Sequence, residues 1–190
     1  MDGAAVSFKI DGIGDEISDF LDETTLFASF AYSKSHPSNI DRTITNFDGL
    51  GNDMTMTSES MLGSSKSETG NSFWIGAQMP NLTGGKFGLE YNHGSEHWKA
   101  FTYGEDTIAG SKMAVRGSAY EAYWTQPIID NVFSMQVRYT FLDYDTTGSG
   151  GFFGDGSTSM DISDKTALAN NNMNVIDSAQ DIRVYLRYRY

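Results

Sequence analysis

Three stretches of this 190-residue chain place reactive side chains at spacings that chemistry uses. In "HGSEH", His93, Glu96 and His97 follow the H-x-x-E-H order of inverted zinc peptidases, where two histidines one helical turn apart hold a metal beside a general base. That mechanism needs a helix. Gly94 and Ser95 instead follow a strand pattern and the remaining histidine, His36, is distant in the chain, so the stretch reads as a solvated loop. "DYDTTGSGGFFG" begins like a calcium loop, with Asp143, Asp145 and Thr147 at alternate places and Gly148 sixth. Its twelfth position is Gly154, where a bidentate Glu belongs, and no metal site is expected. "GIGDEI" lacks the third glycine and the strand-to-helix context of a dinucleotide fingerprint, and Asn81-Leu82-Thr83 is a glycosylation sequon by letters only. With three histidines all in or beside loops, no Ser-His-Asp set can assemble on one rim. The chain is read as a non-enzyme without cofactor.

The elements that would position any such group are strands. Period-two alternation marks residues 4–10, 24–34, 72–79, 86–93, 118–126, 132–145 and 181–190. One parity is apolar in each, as in Val6/Phe8/Ile10, Phe73/Ile75/Ala77/Met79 and Phe133/Met135/Val137/Tyr139/Phe141. The other carries Ser7, Lys9, Ser29, Gln78, Gly88, Glu90, Glu121, Ser134, Gln136 and Arg138. Connections come in two lengths. "PNLTGGK" and "PIIDN" are short and have turn chemistry, whereas 35–71, 94–117 and 146–180 are long and rich in Gly, Ser, Thr, Asn and Asp. The 11–23 connection is longer than its class and suggests a helical turn with Ile17, Phe20 and Leu21 on one side.

Composition narrows what such a sheet can be. Hydrophobic residues make up 39% and Gly numbers 20, thin material for a large dry core, while aromatics reach 13%. No run approaches the ~18 apolar residues of a membrane-spanning helix. Cysteine is absent, so disulfides and thiolate metal sites are out. A formal net charge of −12 argues against nucleic acid as a partner. Short turns on one rim, long loops on the other, and strands of about 9–11 residues with one apolar face are the requirements of a transmembrane β-barrel. Because lipid offers no hydrogen-bond partners, such a sheet must close. The expected fold is therefore all-β, an antiparallel up-and-down transmembrane barrel forming a single domain over 1–190. Tyr32, Trp74, Tyr91, Trp124, Tyr188 and Tyr190 suit its interfacial aromatic girdles.

If the barrel folds hairpin by hairpin, Glu90 stands opposite Glu121, the next turn pairs Glu121 with Arg138, and the last hairpin brings Arg138 near Arg187. With Gln136, Arg183 and Arg189 these residues would line the pore, where rings of charge set ion preference; the bland alternative is charges that only stiffen the wall. The acidic loop residues Asp143, Asp145, Asp155, Asp161 and Asp164 read first as solvated, with divalent cations or cation-bridged lipopolysaccharide as the functional alternative.

The chain ends in "DIRVYLRYRY", where Ile182, Val184, Leu186, Tyr188 and Tyr190 share one parity. This segment resembles the C-terminal assembly signal of bacterial outer-membrane proteins, with Tyr in place of the more usual terminal Phe. Residues 86–154, "KFGLEYNHGSEHWKAFTYGEDTIAGSKMAVRGSAYEAYWTQPIIDNVFSMQVRYTFLDYDTTGSGGFFG", resemble an uncharacterised family of outer-membrane barrels, a domain of unknown function from epsilon-class proteobacteria. The resemblance implies integral outer-membrane localisation in a Gram-negative bacterium, contact with outer-membrane lipid and lipopolysaccharide, and delivery to the barrel-assembly machinery through the last strand. It implies no catalytic residue. With both termini periplasmic, a final strand that descends requires strand 4–10 to descend too, so about seven strands of a larger, even-numbered barrel are expected here, or a homo-oligomer that completes the sheet. The expected function is a porin-like channel for small hydrophilic solutes. The alternatives are a structural or adhesive barrel displaying its long loops, and a sheath around a periplasmic or haem-protein partner.

Overall fold

The structure, a computed structural model, describes the chain except residues 15, 38–39, 45–48, 53, 59–65, 101–109, 131, 149–158, 171–174 and 190. The strands are β1 (Asp2–Asp11), β2 (Thr25–Lys34), β3 (Ile40–Ile44), β4 (Met54–Ser58), β5 (Thr69–Pro80), β6 (Lys86–Gly94), β7 (Gly117–Ile129), β8 (Phe133–Tyr144) and β9 (Ser178–Tyr188). Two short helices, α1 (Asp19–Asp22) and α2 (Lys165–Asn170), and a 3-10 turn at Lys112–Ala114 interrupt the connections. All seven expected strands are present, and α1 contains the Phe20 and Leu21 of the expected helical turn.

These seven strands form one antiparallel up-and-down sheet in the order β1-β2-β5-β6-β7-β8-β9. The fold is all-β, as expected. Its two edges, β1 and β9, are not paired with each other. The connection 35–71, expected to be loop throughout, instead holds the separate hairpin β3–β4, registered Ile40 to Ser58 through Ile44 to Met54. Its strands are short and Thr-rich, and Arg42 interrupts the apolar parity of Ile40 and Ile44, so the alternation signal was weak. Among the described residues no helix is long and apolar enough to cross a membrane, which leaves strands unaddressed.

Local chemistry explains the short rim. In the β5–β6 turn, Asn81 Oδ1 accepts from the backbone N–H of Thr83 at 3.0 Å and of Gly85 at 2.7 Å, and Gly84 takes the positive φ of 76° that the turn needs. Between β7 and β8 the register shifts at Pro127/Ile129, where a residue without an N–H is tolerated because the ladder is already broken.

The two faces are chemically opposite. On one, Val6, Phe8, Ile10, Leu26, Phe30, Ile75, Leu89, Tyr120, Val137, Ile182, Val184 and Leu186 stand exposed, Phe8 to 67% and Ile182 to 71%. Tyr91 packs between Phe73 and Tyr120, with ring centroids 5.6 and 5.1 Å apart, and Phe141 continues the row at 6.3 Å from Tyr120. A shallow hollow of about 800 Å³ opens on the small residues Ala28, Ala77 and Ala122 of this face. The opposite face is polar and substantially buried. Its hydrophobic core lies at the long-loop end, where Val115 from the β6–β7 connection packs on Ala119 and Leu142, flanked by Tyr144 and Ala179. Trp98, Ile162 and Leu168, all from long connections, are buried as well. The long loops therefore fold onto the rim of the polar face.

Candidate functional site

The polar face carries the charge. Glu90 on β6 and Glu121 on β7 are direct Cα partners, as the hairpin arithmetic requires. Two carboxylates directly opposite repel one another across a sheet. Lys112 offsets that repulsion: its Nζ lies 2.5 Å from Glu90 Oε2 and 2.6 Å from Glu121 Oε1. Trp74 Nε1 donates to Glu90 Oε2 at 3.0 Å, and Thr140 Oγ1 donates to Glu121 Oε2 at 2.9 Å. Arg138 Nε adds a longer contact, 3.5 Å from Glu121 Oε1. Only 3% of Glu121 and 8% of Lys112 is exposed. Charges this far from water persist only when paired and hydrogen-bonded, and here the ammonium meets both carboxylates.

The β6–β7 connection holds Lys112 in place. Ser111 Oγ accepts the Met113 N–H at 3.2 Å and caps the 3-10 turn. Asn92 Nδ2 donates to the Lys112 carbonyl at 2.7 Å, while Asn92 Oδ1 accepts from Ser72 Oγ at 3.2 Å. Trp98 Nε1 donates to the Met113 carbonyl at 2.7 Å. Arg116 Nε reaches the Trp98 carbonyl at 3.1 Å and its Nη1 the Thr147 carbonyl at 2.8 Å, joining this connection to the one after β8. Lys112 was not among the residues expected from sequence. Its signal was the short apolar run Met113-Ala114-Val115 in an otherwise polar loop, which has to be buried somewhere and takes its neighbour with it.

Toward β9 the face turns basic. The Arg138 guanidinium lies 5.7 Å from the ring centres of both Tyr123 and Tyr185. Arg183 pairs with Asp181 and donates to Tyr185 Oη at 3.0 Å. Gln136 Nε2 donates to Thr125 Oγ1 at 2.7 Å. Arg187 stands opposite Ser134, and the Arg189 N–H reaches the Val132 carbonyl at 2.8 Å beyond the strand.

Two expected pairings are corrected. Arg138 faces Tyr123 and Arg183, where Glu121 and Arg187 were expected; Glu121 faces Thr140 and Arg187 faces Ser134. Both shifts are even, two residues in one hairpin and four in the other. An even shift keeps every side chain on its own face, so alternation cannot choose among such registers. Trp74, assigned to an aromatic girdle, belongs to the polar face, where it serves Glu90 and packs on Phe27 with ring centroids 4.7 Å apart. Tyr32, Tyr91, Trp124 and Tyr188 have the parity of the apolar face. Ile182, Val184, Leu186 and Tyr188 line up exposed along the edge strand β9; Tyr190 lies outside the described residues.

The zinc-like motif is taken apart by the fold. His93 is on β6, its Nδ1 3.4 Å from Ser118 Oγ, whereas His97 sits beyond the strand with Nε2 3.4 Å from Glu68 Oε2. Among the described residues no three His, Asp or Glu side chains gather to hold a metal. Of the calcium-like stretch, Gly154 lies outside the described residues, as does the loop residue Asp155. Asp161 accepts hydrogen bonds from the Ser163 side chain and backbone, which hold its carboxyl below the usual carboxylate range.

No curated protein and no solved structure matches the chain. One family profile does, over residues 1–190, and its description is "Protein of unknown function (DUF3373)". The chain thus belongs to the DUF3373 family.

Proposed function

We propose that this protein is a porin-like channel of a Gram-negative outer membrane, an integral barrel whose polar face lines a passage for small hydrophilic solutes. One observation carries the reading: the sheet is inside out relative to a water-soluble one. Its apolar side chains are exposed across all seven strands, while Glu121, Asn92 and Lys112 are buried on the other face. A contiguous apolar surface of that extent is unfavourable in water and stable against acyl chains. The unpaired edges of β1 and β9 must close in lipid, by pairing with each other, with further strands or with a second copy.

Planar-bilayer conductance tests the channel. The full-length protein, exported to the outer membrane and purified in detergent, is expected to insert and give discrete conductance steps. Insertion without conductance would overturn it. A compact monomer freely soluble without detergent would remove the membrane as well. The β3–β4 hairpin favours a second reading, in which the barrel displays its 35–71 connection to a partner. Deleting that hairpin would then abolish partner binding and leave solute permeability unchanged.

A further inference from the structure

Two hollows lie in line on the apolar face and its short rim, and what fits both together is an amphiphile, an inference that rests on the membrane reading above. The first is the hollow of about 800 Å³ over Ala28, Ala77 and Ala122. The second, of about 710 Å³, opens between α1 and the β5–β6 turn and is lined by Asp19, Phe20, Glu23, Lys86, Phe87 and Trp124. Phe87 and Trp124, with ring centroids 6.3 Å apart, share the apolar face with Leu89 and Ala122, which line the first hollow two residues further along the same strands. Two residues of strand span about 7 Å, so the hollows follow one another along β6 and β7. Both walls of the second hollow are fixed. The Gly12 N–H donates to the Thr24 carbonyl at 3.0 Å and Thr24 Oγ1 to the Phe20 carbonyl at 2.7 Å, which holds α1 at the rim. Gln126 Nε2 donates to the Thr83 carbonyl at 2.8 Å, which ties the β5–β6 turn to β7. This hollow also has charges of both signs. Asp19, Glu23 and Lys86 are exposed, and among the described residues none of the three is in an ion pair; Asp11, at the end of β1, is taken by Lys9 at 2.8 Å.

We propose that this groove binds a glycerophospholipid with an amine headgroup, of the phosphatidylethanolamine type. Its acyl chain lies along Leu89, Ala77 and Ala122, its phosphate meets Lys86, and its ammonium meets Asp19 and Glu23. Ligand sites are mostly apolar with a few placed charges, and both head contacts are of the charge-assisted kind. Trp124 stands at the junction of head and tail, the level where an amphipathic ring sits best. A lipid with only negative charge gains Lys86 but meets two carboxylates, so the head chemistry discriminates.

Native mass spectrometry of the full-length protein in detergent, its fold checked by gel migration, provides the test. Dioleoyl phosphatidylethanolamine and dioleoyl phosphatidylglycerol are offered together in equal amounts. The wild type is expected to retain phosphatidylethanolamine several-fold in preference to phosphatidylglycerol. Asp19→Asn/Glu23→Gln is expected to bring that ratio close to one, and Lys86→Gln to weaken retention of both lipids. Ala122→Phe fills the tail hollow and is expected to lower both several-fold with the ratio unchanged; Ala77→Phe takes its place if that variant fails to fold. Equal or inverted retention in the folded wild type, an unchanged ratio in Asp19→Asn/Glu23→Gln, or full retention in a folded Ala122→Phe or Ala77→Phe protein would overturn the proposal and leave the membrane assignment standing. A wild type that stays soluble without detergent and does not enter vesicles would sink the membrane reading itself.

Discussion

Small changes at single residues have large consequences on the polar face because it is packed. Gly88 lies beneath Tyr123, and a Cβ there would meet the phenol ring at 2.1 Å; at Gly76 it would meet Phe27 at 2.3 Å. Each aromatic ring covers backbone that a side chain would otherwise occupy. Gly88→Val is expected to cost about 1–3 kcal/mol, the usual penalty of overpacking, and Tyr123→Ala in the same chain to relieve most of it. Urea unfolding of vesicle-reconstituted protein, followed by its gel migration, would read both midpoints. Asn92 is 1% exposed and bonds both Ser72 and the Lys112 carbonyl. Asn92→Ala leaves that carbonyl buried without its donor, an expected loss of about 1–3 kcal/mol. If its midpoint instead matches the wild type, the pinning of the loop contributes nothing. Glu90 and Glu121 were legible as a pair because folding the hairpin about the middle of its own loop sets them opposite, although the same count missed the next two hairpins by two and four residues. Lys112 was not, since nothing in a loop's own letters says which part of a sheet it will meet.

Among the elements, the connections differ from the strands in what determines them. The strands follow from period-two alternation of β-branched and aromatic residues, a local signal that survives in every one of the seven. The turn before α2 is held by carboxylates: Asp161 Oδ1 accepts the Ser163 N–H at 2.7 Å, and Asp164 Oδ1 accepts the Ala167 N–H at 2.9 Å as the N-cap of the helix. The folded state holds the Asp161 carboxyl below its usual range through those Ser163 bonds. A carboxylate depressed on folding contributes stability above its unfolded pKa and loses it as pH falls through the folded one. Protease protection of the 146–180 connection is therefore expected to weaken on the acid side of the carboxylate range, and Asp161→Ala to flatten that dependence. A profile for Asp161→Ala that overlays the wild type would remove the turn from the explanation.

For the molecule as a whole, the question is what solvates the apolar face. Ile75 sits on β5, between Ala28 and Tyr91, and is exposed. On a water-facing surface, Ile75→Arg would change stability by at most about 0.5 kcal/mol. On a lipid-facing strand near the middle of the bilayer it is expected to cost about 2–4 kcal/mol. Unfolding of the reconstituted variant distinguishes the two, and a near-neutral outcome would argue against acyl chains at that position.

The sequence by itself determined the seven strands of the main sheet, the antiparallel order of neighbours and which parity of each of those strands is oily, since alternation is written into consecutive residues and survives any later rearrangement. Only the tertiary structure decided how far each strand slid against the next, and that Lys112 would enter between Glu90 and Glu121. Sliding by two or four residues keeps every side chain on its own face, so the pattern is indifferent to it. The Arg116 side chain, with the Trp98 carbonyl of its own connection and the Thr147 carbonyl of the one after β8, joins segments that no local pattern relates.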